Sequence, residues 1–210
     1  MSQAVRALAR VPRANSRRGV RLEANAEGAR RSPRDVRLRK GTDGDLSAIR
    51  ASVLSEGMNP LGLDPSRFVV AVDDGDVVVG FGQVRPWETL SDRADIVGGI
   101  VRGLGLAPNW RGSLLEVASL LVTKDRRGEG VGSAILRELI ADATADASKE
   151  TTLCLLTLRG TTSFYERFGF RITEEENTPR PLMAERAIGN VVAGVIANDE
   201  CVCMTLERRR

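Results

Sequence analysis

The sequence predicts a single α/β domain: one mixed sheet of six to seven strands with helices on both faces. Three observations lead there. Short apolar runs of strand length alternate with segments of helical period. A glycine-rich turn stands where an apolar run hands over to a helical pattern, in "EVASLLVTKDRRGEGVGSAI", residues 116–135. No apolar run approaches the roughly 18 residues needed to span a bilayer.

Bulk numbers narrow the classes of chemistry. The chain has 210 residues, 42% hydrophobic and 28% charged, with a net charge of +3 and no histidine. Without histidine there is no Ser-His-Asp or Cys-His catalysis and no His-based metal site, and no metal is expected. The three cysteines, Cys154, Cys201 and Cys203, are too few for a disulfide framework and read as buried thiols. Cys201 and Cys203 alternate along an expected strand and so share a face.

The charge is unevenly spread. Residues 1–40 hold 12 basic and three acidic residues, whereas residues 41–210 hold 19 basic and 25 acidic, a balance of −6. Residues 1–34 are rich in Arg and Ala and lack an apolar secretory core, which suits an organellar transit peptide. The competing reading, a basic arm for nucleic acid, lacks an aromatic residue for base stacking. The expected organisation is therefore an address at 1–34 and a folded domain at 35–210.

The elements follow in order. "DVRLRKGT" alternates and reads as a strand. "TDGDLSAIRASVLSEG" begins with a capping-box pattern, Thr42 and Asp45; Leu46, Ile49, Val53 and Leu54 recur at helical spacing, and Gly57 ends the helix. "MNPLGLDPS" is a loop. "RFVVAVDDGDVVVGFGQVRP" is a hairpin turning at Asp74-Gly75. Residues 86–112, with Trp87 and Trp110, read as an excursion able to shape a substrate mouth. "SLLEVASLLVT" is a central strand. In the helix after it, Val131, Ile135, Leu136, Leu139, Ile140 and Ala143 form an apolar stripe. "TTLCLLTL" is a buried strand, "TSFYERFG" a short helix ended by Gly169, and "FRITEEE" a strand. "RPLMAERAIGNVVAGVIAN" is partly helical, and "ECVCMTLERR" closes the sheet.

The glycine turn is the candidate anion site. A P-loop would need Lys after Gly132, where Ser133 stands. The dinucleotide fingerprint G-x-G-x-x-G fails from Gly128, whose third position is Ser133, and from Gly130, whose third position is Ile135. What remains is R-x-x-G-x-G, Arg127-Gly128-Glu129-Gly130-Val131-Gly132. Glycines let successive amides converge on one anion, the helix start adds its positive end, and Arg126 and Arg127 add cationic donors.

This pattern resembles motif A of the GNAT superfamily, the Gcn5-related N-acetyltransferases. "SFYERFGF", residues 163–170, resembles motif B, and Thr42–Ile49 resembles the opening of the first GNAT helix; the resemblance covers roughly residues 36–207. It implies the GNAT fold, with two adjacent parallel strands splayed near Val122 and Leu158 and acetyl-CoA, the acyl donor, lying in the gap. Leu121, Val122 and Thr123 would pair with the pantetheine arm. Arg126, Arg127, Gly128, Glu129, Gly130, Val131, Gly132 and Ser133 would meet the pyrophosphate. A primary amine would attack the thioester directly, with a main-chain N–H near Val122 receiving the developing negative charge. Tyr165, the one tyrosine of the chain, stands where family members carry the general acid. Glu116 is the candidate base, acting directly or through water. One position departs from the family: the Asn often found seven residues before the tyrosine is here Leu158.

The whole sequence also looks like plant and algal plastid GNAT-like proteins, which implies acetylation of protein lysines or N-termini and a plastid address, with the mitochondrion as the alternative. The acceptor is expected to be a protein or peptide amine, with neither nucleic acid nor membrane as partner. A small-amine acetyltransferase and a non-catalytic acetyl-CoA-binding module are the rival readings.

Overall fold

The computed structural model describes residues 35–58, 60, 62–87, 112–179, 182, 183, 186 and 199–208. The expected transit segment 1–34, Trp110 with most of the excursion, and most of the expected helical region 180–198 lie outside the described residues.

Among the described residues seven strands form one sheet. They are β1 (Arg37–Lys40), β2 (Phe68–Val72), β3 (Val78–Pro86), β4 (Ser113–Val122), β5 (Thr151–Leu158), β6 (Arg171–Ile172) and β7 (Cys201–Arg208), in the order β1-β2-β3-β4-β5-β7-β6. Every pair is antiparallel except β4–β5. Among the described residues three α-helices accompany it: α1 (Leu46–Ser55), α2 (Val131–Ala143) and α3 (Thr162–Glu166).

Alternation along β2 builds two cores. Val69 and Ala71 join Val131, Ile135, Leu136 and Leu139 of α2, while Phe68, Val70 and Val72 join Ile49 and Val53 of α1. Successive strand residues point to opposite faces, so α1 and α2 cover opposite sides of the sheet. Gly80 and Gly82 let α2 lie close: a Cβ at 80 would stand 3.1 Å from Ile135 Cδ1, and one at 82 would stand 3.0 Å from Leu139 Cδ1.

The start of α1 follows the sequence pattern. Thr42 and Asp45 form a reciprocal capping box around a 3-10 turn at Asp43–Asp45. Arg39 of β1 adds two hydrogen bonds to the Asp45 carboxylate, at 2.7 and 2.8 Å. That guanidinium foremost, then Thr42, holds the Asp45 carboxyl well below the usual carboxylate range, against the effect of burial.

Three expectations change in detail. Leu54 is exposed rather than part of the apolar stripe of α1, because the stripe narrows to Ile49 and Val53. The β2–β3 hairpin turns with Asp76, not Gly75, at positive φ (60°). Asp73 explains this: its Oδ1 accepts from Gly75 N and Val77 N, so a side chain shapes the turn. The strand expected through "FRITEEE" is confined to Arg171–Ile172, and Glu175–Asn177 turn as a 3-10 helix.

Two irregularities position the site. Between Phe81↔Leu121 and Gln83↔Ala118, β4 carries Ser119 and Leu120 against Gly82 alone, a β-bulge with Ser119 at φ 53°. Such a bulge bends its strand. The β4–β5 ladder runs from Ser113↔Thr151 to Glu116↔Cys154 and stops there. Both strands continue, β4 to Val122 and β5 to Leu158, so they splay apart beyond Glu116. The gap between two parallel strands that the sequence led us to expect is present.

Candidate active site

The candidate phosphate-binding end is the turn between β4 and α2. Gly130 caps α2 at φ 89°, a left-handed conformation suited to glycine. The first helical amide to reach back is that of Ala134, which donates to Gly130 O at 3.0 Å. The amides of Val131, Gly132 and Ser133 precede it and have no acceptor within the helix. Together with the positive helix end they form an anion cradle. Gly128 also has positive φ (87°) and open space around its missing Cβ. At Gly132 the backbone is ordinary. Its value is proximity: a Cβ there would touch Val122 Cγ2 at 3.4 Å and Phe164 Cζ at 3.7 Å.

The two arginines are held by internal partners. Arg126 pairs with Glu129 at 2.9 Å. Arg127 pairs with Glu56, at the end of α1, at 3.3 Å, and its Nε donates to Val122 O at 2.9 Å. Lys124 reaches the same Glu56 at 3.8 Å. The loop thus keeps its cations folded against carboxylates, and one of the backbone groups expected for the pantetheine arm already has a donor. Leu121 is buried in the α1-side core. Thr123 Oγ1 is buried and finds no partner among the described residues. A buried orphan hydroxyl costs free energy, and beside an anion cradle it fits a ligand that would supply the missing partner. Among the described residues no group of three or more His, Cys, Asp or Glu is placed to hold a metal ion.

The sheet puts the two candidate catalytic groups on opposite faces. Glu116 is the last residue of the β4–β5 ladder and is buried. Its Oε2 accepts from Arg85 Nε at 2.8 Å and from Trp87 Nε1 at 2.7 Å, and the Arg85 guanidinium stands 5.2 Å from the Trp87 ring centroid. Glu116 shares its face with Leu114, Cys154, Leu182 and Cys203, a second buried cluster. The Cys203 thiol is pushed up to about 12, by burial foremost and by Glu116 among the nearby charges. All three cysteines are buried, as expected, and none forms a disulfide among the described residues.

Tyr165 belongs to the other face. It packs on the core beneath α2, edge-on to Phe164 at 4.9 Å and Phe170 at 6.1 Å. Burial raises the Tyr165 phenol above its ordinary value, while a hydrogen bond with Thr157 of β5 pulls the other way. The phenol therefore keeps its proton through the neutral range. Leu158 ends β5, and Thr161, three residues on, donates to the Leu158 carbonyl at 2.8 Å. The contributions that sequence reasoning missed are Arg85 and Trp87. They lie 31 and 29 residues from Glu116 and meet it only through strand pairing.

Comparison with known proteins adds the family. A family model described as acetyltransferase (GNAT) domain matches residues 64–172. A search of curated proteins finds no match. Among solved structures, N-acetylglutamate synthase from Neisseria gonorrhoeae, complexed with coenzyme A and N-acetyl-glutamate, superposes with TM-score 0.55 at 16% identity, covering 83% of this chain and 35% of that one. The chain thus spans about a third of that enzyme. Arabidopsis thaliana Naa50, in complex with the bisubstrate analogue CoA-Ac-MVNAL, gives TM-score 0.52 at 16% identity, covering 82% of this chain and 98% of that one. A Mycobacterium tuberculosis protein solved with CoA gives 0.53 at 22%, covering 82% and 99%. At these identities the likeness is one of fold.

Proposed function

This chain belongs to the GNAT acetyltransferase family, and we propose that it transfers the acetyl group of acetyl-CoA to a primary amine of a protein, either a lysine side chain or an N-terminal α-amine. One observation carries the chemistry: the gap opening beyond the Glu116↔Cys154 pair has a buried carboxylate on one face of the sheet and a protonated phenol on the other. Bound acetyl-CoA supplies the thioester.

The amides of Val131, Gly132 and Ser133 hold the diphosphate, with Thr123 beside them. At the end of β4 the main chain of Val122 orients the pantetheine arm; Thr123, whose amide donates to Val79 O at 2.9 Å, and Leu121, paired with Phe81, turn theirs toward β3. Glu116 takes the proton that the amine nitrogen loses as the C–N bond forms, directly or through water, and the Arg85 and Trp87 donors fix the carboxylate for that task. Tyr165 gives a proton to the sulfur as the C–S bond breaks. Arg126 and Arg127 are the cations to be drawn from Glu129 and Glu56 toward the diphosphate.

A protein acceptor is supported by the −6 balance of residues 41–210, which favours a cationic substrate, and by the peptide analogue bound to the fold neighbour Naa50. We propose further that residues 1–34 are an organellar address, plastid before mitochondrion. A mature protein still beginning at Met1 would overturn that.

The test is mass spectrometry after incubating the protein with acetyl-CoA and either peptides or free small amines. Acetylated lysines or N-termini support the reading. Modification of small amines alone replaces it with a metabolite enzyme, and thermal stabilisation by acetyl-CoA with no product replaces it with a binding module. The double variant Gly130→Val/Gly132→Val should lose acetyl-CoA affinity; unchanged affinity would place the nucleotide elsewhere.

A further inference from the structure

We propose that Gln83 is a specificity-determining residue for the acceptor, pairing its side-chain amide with an amide of the incoming peptide; this rests on the protein-acceptor reading above. Gln83 is fully buried, and both its Oε1 and its Nε2 lack a hydrogen-bond partner among the described residues. Leaving a buried donor and a buried acceptor unmade in one side chain is costly. Simple packing does not demand it, because a methionine or leucine would fill similar space without that cost.

The register says where this amide stands. Gln83 pairs with Phe68 of β2 on one side and with Ala118 of β4 on the other, so it lies on the face that α1 covers. Arg85, two residues along, pairs with Glu116 and lies on the same face. Gln83 is therefore next to the base cluster, on the face from which an amine would reach Glu116. Its neighbour across the strands is the small Ala118, at the edge of the β4 bulge, where the ladder widens.

The chemistry of the partner follows from the group. A carboxamide offers one acceptor and one NH2 donor in a plane. A peptide unit presents the complementary N–H and C=O, whereas a simple amine presents no such pair. Because Gln83 is closed from solvent, its partner must arrive with the acceptor and be buried with it. Gly62 stands close over the base cluster on this face: a Cβ there would lie 3.1 Å from Arg85 Nη1.

The experiment compares the wild-type full chain with Gln83→Met and Gln83→Leu in three assays. Thermal melts of the free proteins should show each variant melting at the same temperature as wild type or higher, since an unmade amide has been removed. Acetyl-CoA titration should show unchanged affinity. Steady-state kinetics should show KM for a peptide acceptor rising about tenfold, the scale of one lost hydrogen-bonding interaction, with kcat/KM for a primary alkylamine lacking an amide unchanged. A variant that melts clearly lower, or fails to fold, shows the amide satisfied in the free protein and overturns the proposal. So does an unchanged peptide KM, or an equal loss on both acceptors. If peptides are acetylated and the variants behave as wild type, only the Gln83 proposal falls; if wild type acetylates alkylamines and no peptide, the protein-acceptor reading falls with it.

Discussion

Tyr165 carries the sharpest expectation of any single residue. Its phenol is raised by burial, so it keeps its proton in the neutral range and is suited to give a proton rather than take one. Tyr165→Phe should lower kcat by about 10²–10⁴-fold, the range for losing a general acid, while acetyl-CoA affinity holds. A variant with normal turnover would reduce Tyr165 to packing against Phe164 and Phe170. This residue was legible because it is the one tyrosine and sits inside a recognisable helix pattern. Glu116 was legible only as a carboxylate at the start of a strand. Its Arg85 and Trp87 partners were not, since no local pattern records which residues, 31 and 29 positions back in the chain, strand pairing will set beside it. Gln83 gives no signal at all in a run of apolar strand residues until burial and pairing are known.

Elements show the same division between local and non-local information. The capping box at Thr42 and Asp45 is a short-range pattern and was readable. Its junction with Arg39 of β1 gives it an acid-sensitive energy. A carboxyl whose folded pKa is depressed stabilises the fold above its unfolded value of about 3.9, and loses that contribution as pH falls through the folded value. Asp45→Asn should therefore destabilise the protein by about 1–3 kcal/mol at pH 7, and the difference from wild type should shrink as pH is lowered below about 4, as read by urea denaturation at several pH values. The bulge at Ser119 was not readable. Nothing in "EVASLLV" distinguishes a regular ladder from one with an extra residue, because the irregularity appears only in the pairing with the facing strand, where Ser119 and Leu120 stand against Gly82. Asp76 turned the hairpin in place of Gly75 because Asp73 captured two amides, a side-chain choice that outweighed the dipeptide preference.

For the molecule as a whole, the α/β class and the two-faced sheet were set by alternation of apolar positions, and these the sequence displays openly. The strand order was a different matter. β7 enters between β5 and β6, pairing with β5 over the full span Thr151–Leu158, and β6 touches the sheet through β7 alone. A chain stopped after residue 200 should consequently collect in the insoluble fraction on expression, whereas the intact protein should elute from size exclusion as a compact species; a soluble, acetyl-CoA-binding truncation would show that the first five strands stand alone.

That late insertion also bears on how the protein is made. A chain delivered N-terminus first from a ribosome exposes the bare hydrogen-bonding edge of β5 until residues 201–208 emerge. During that interval the nascent molecule is a template for intermolecular strand addition, so a holding chaperone at the point of synthesis would govern its yield more than the stability of the finished fold.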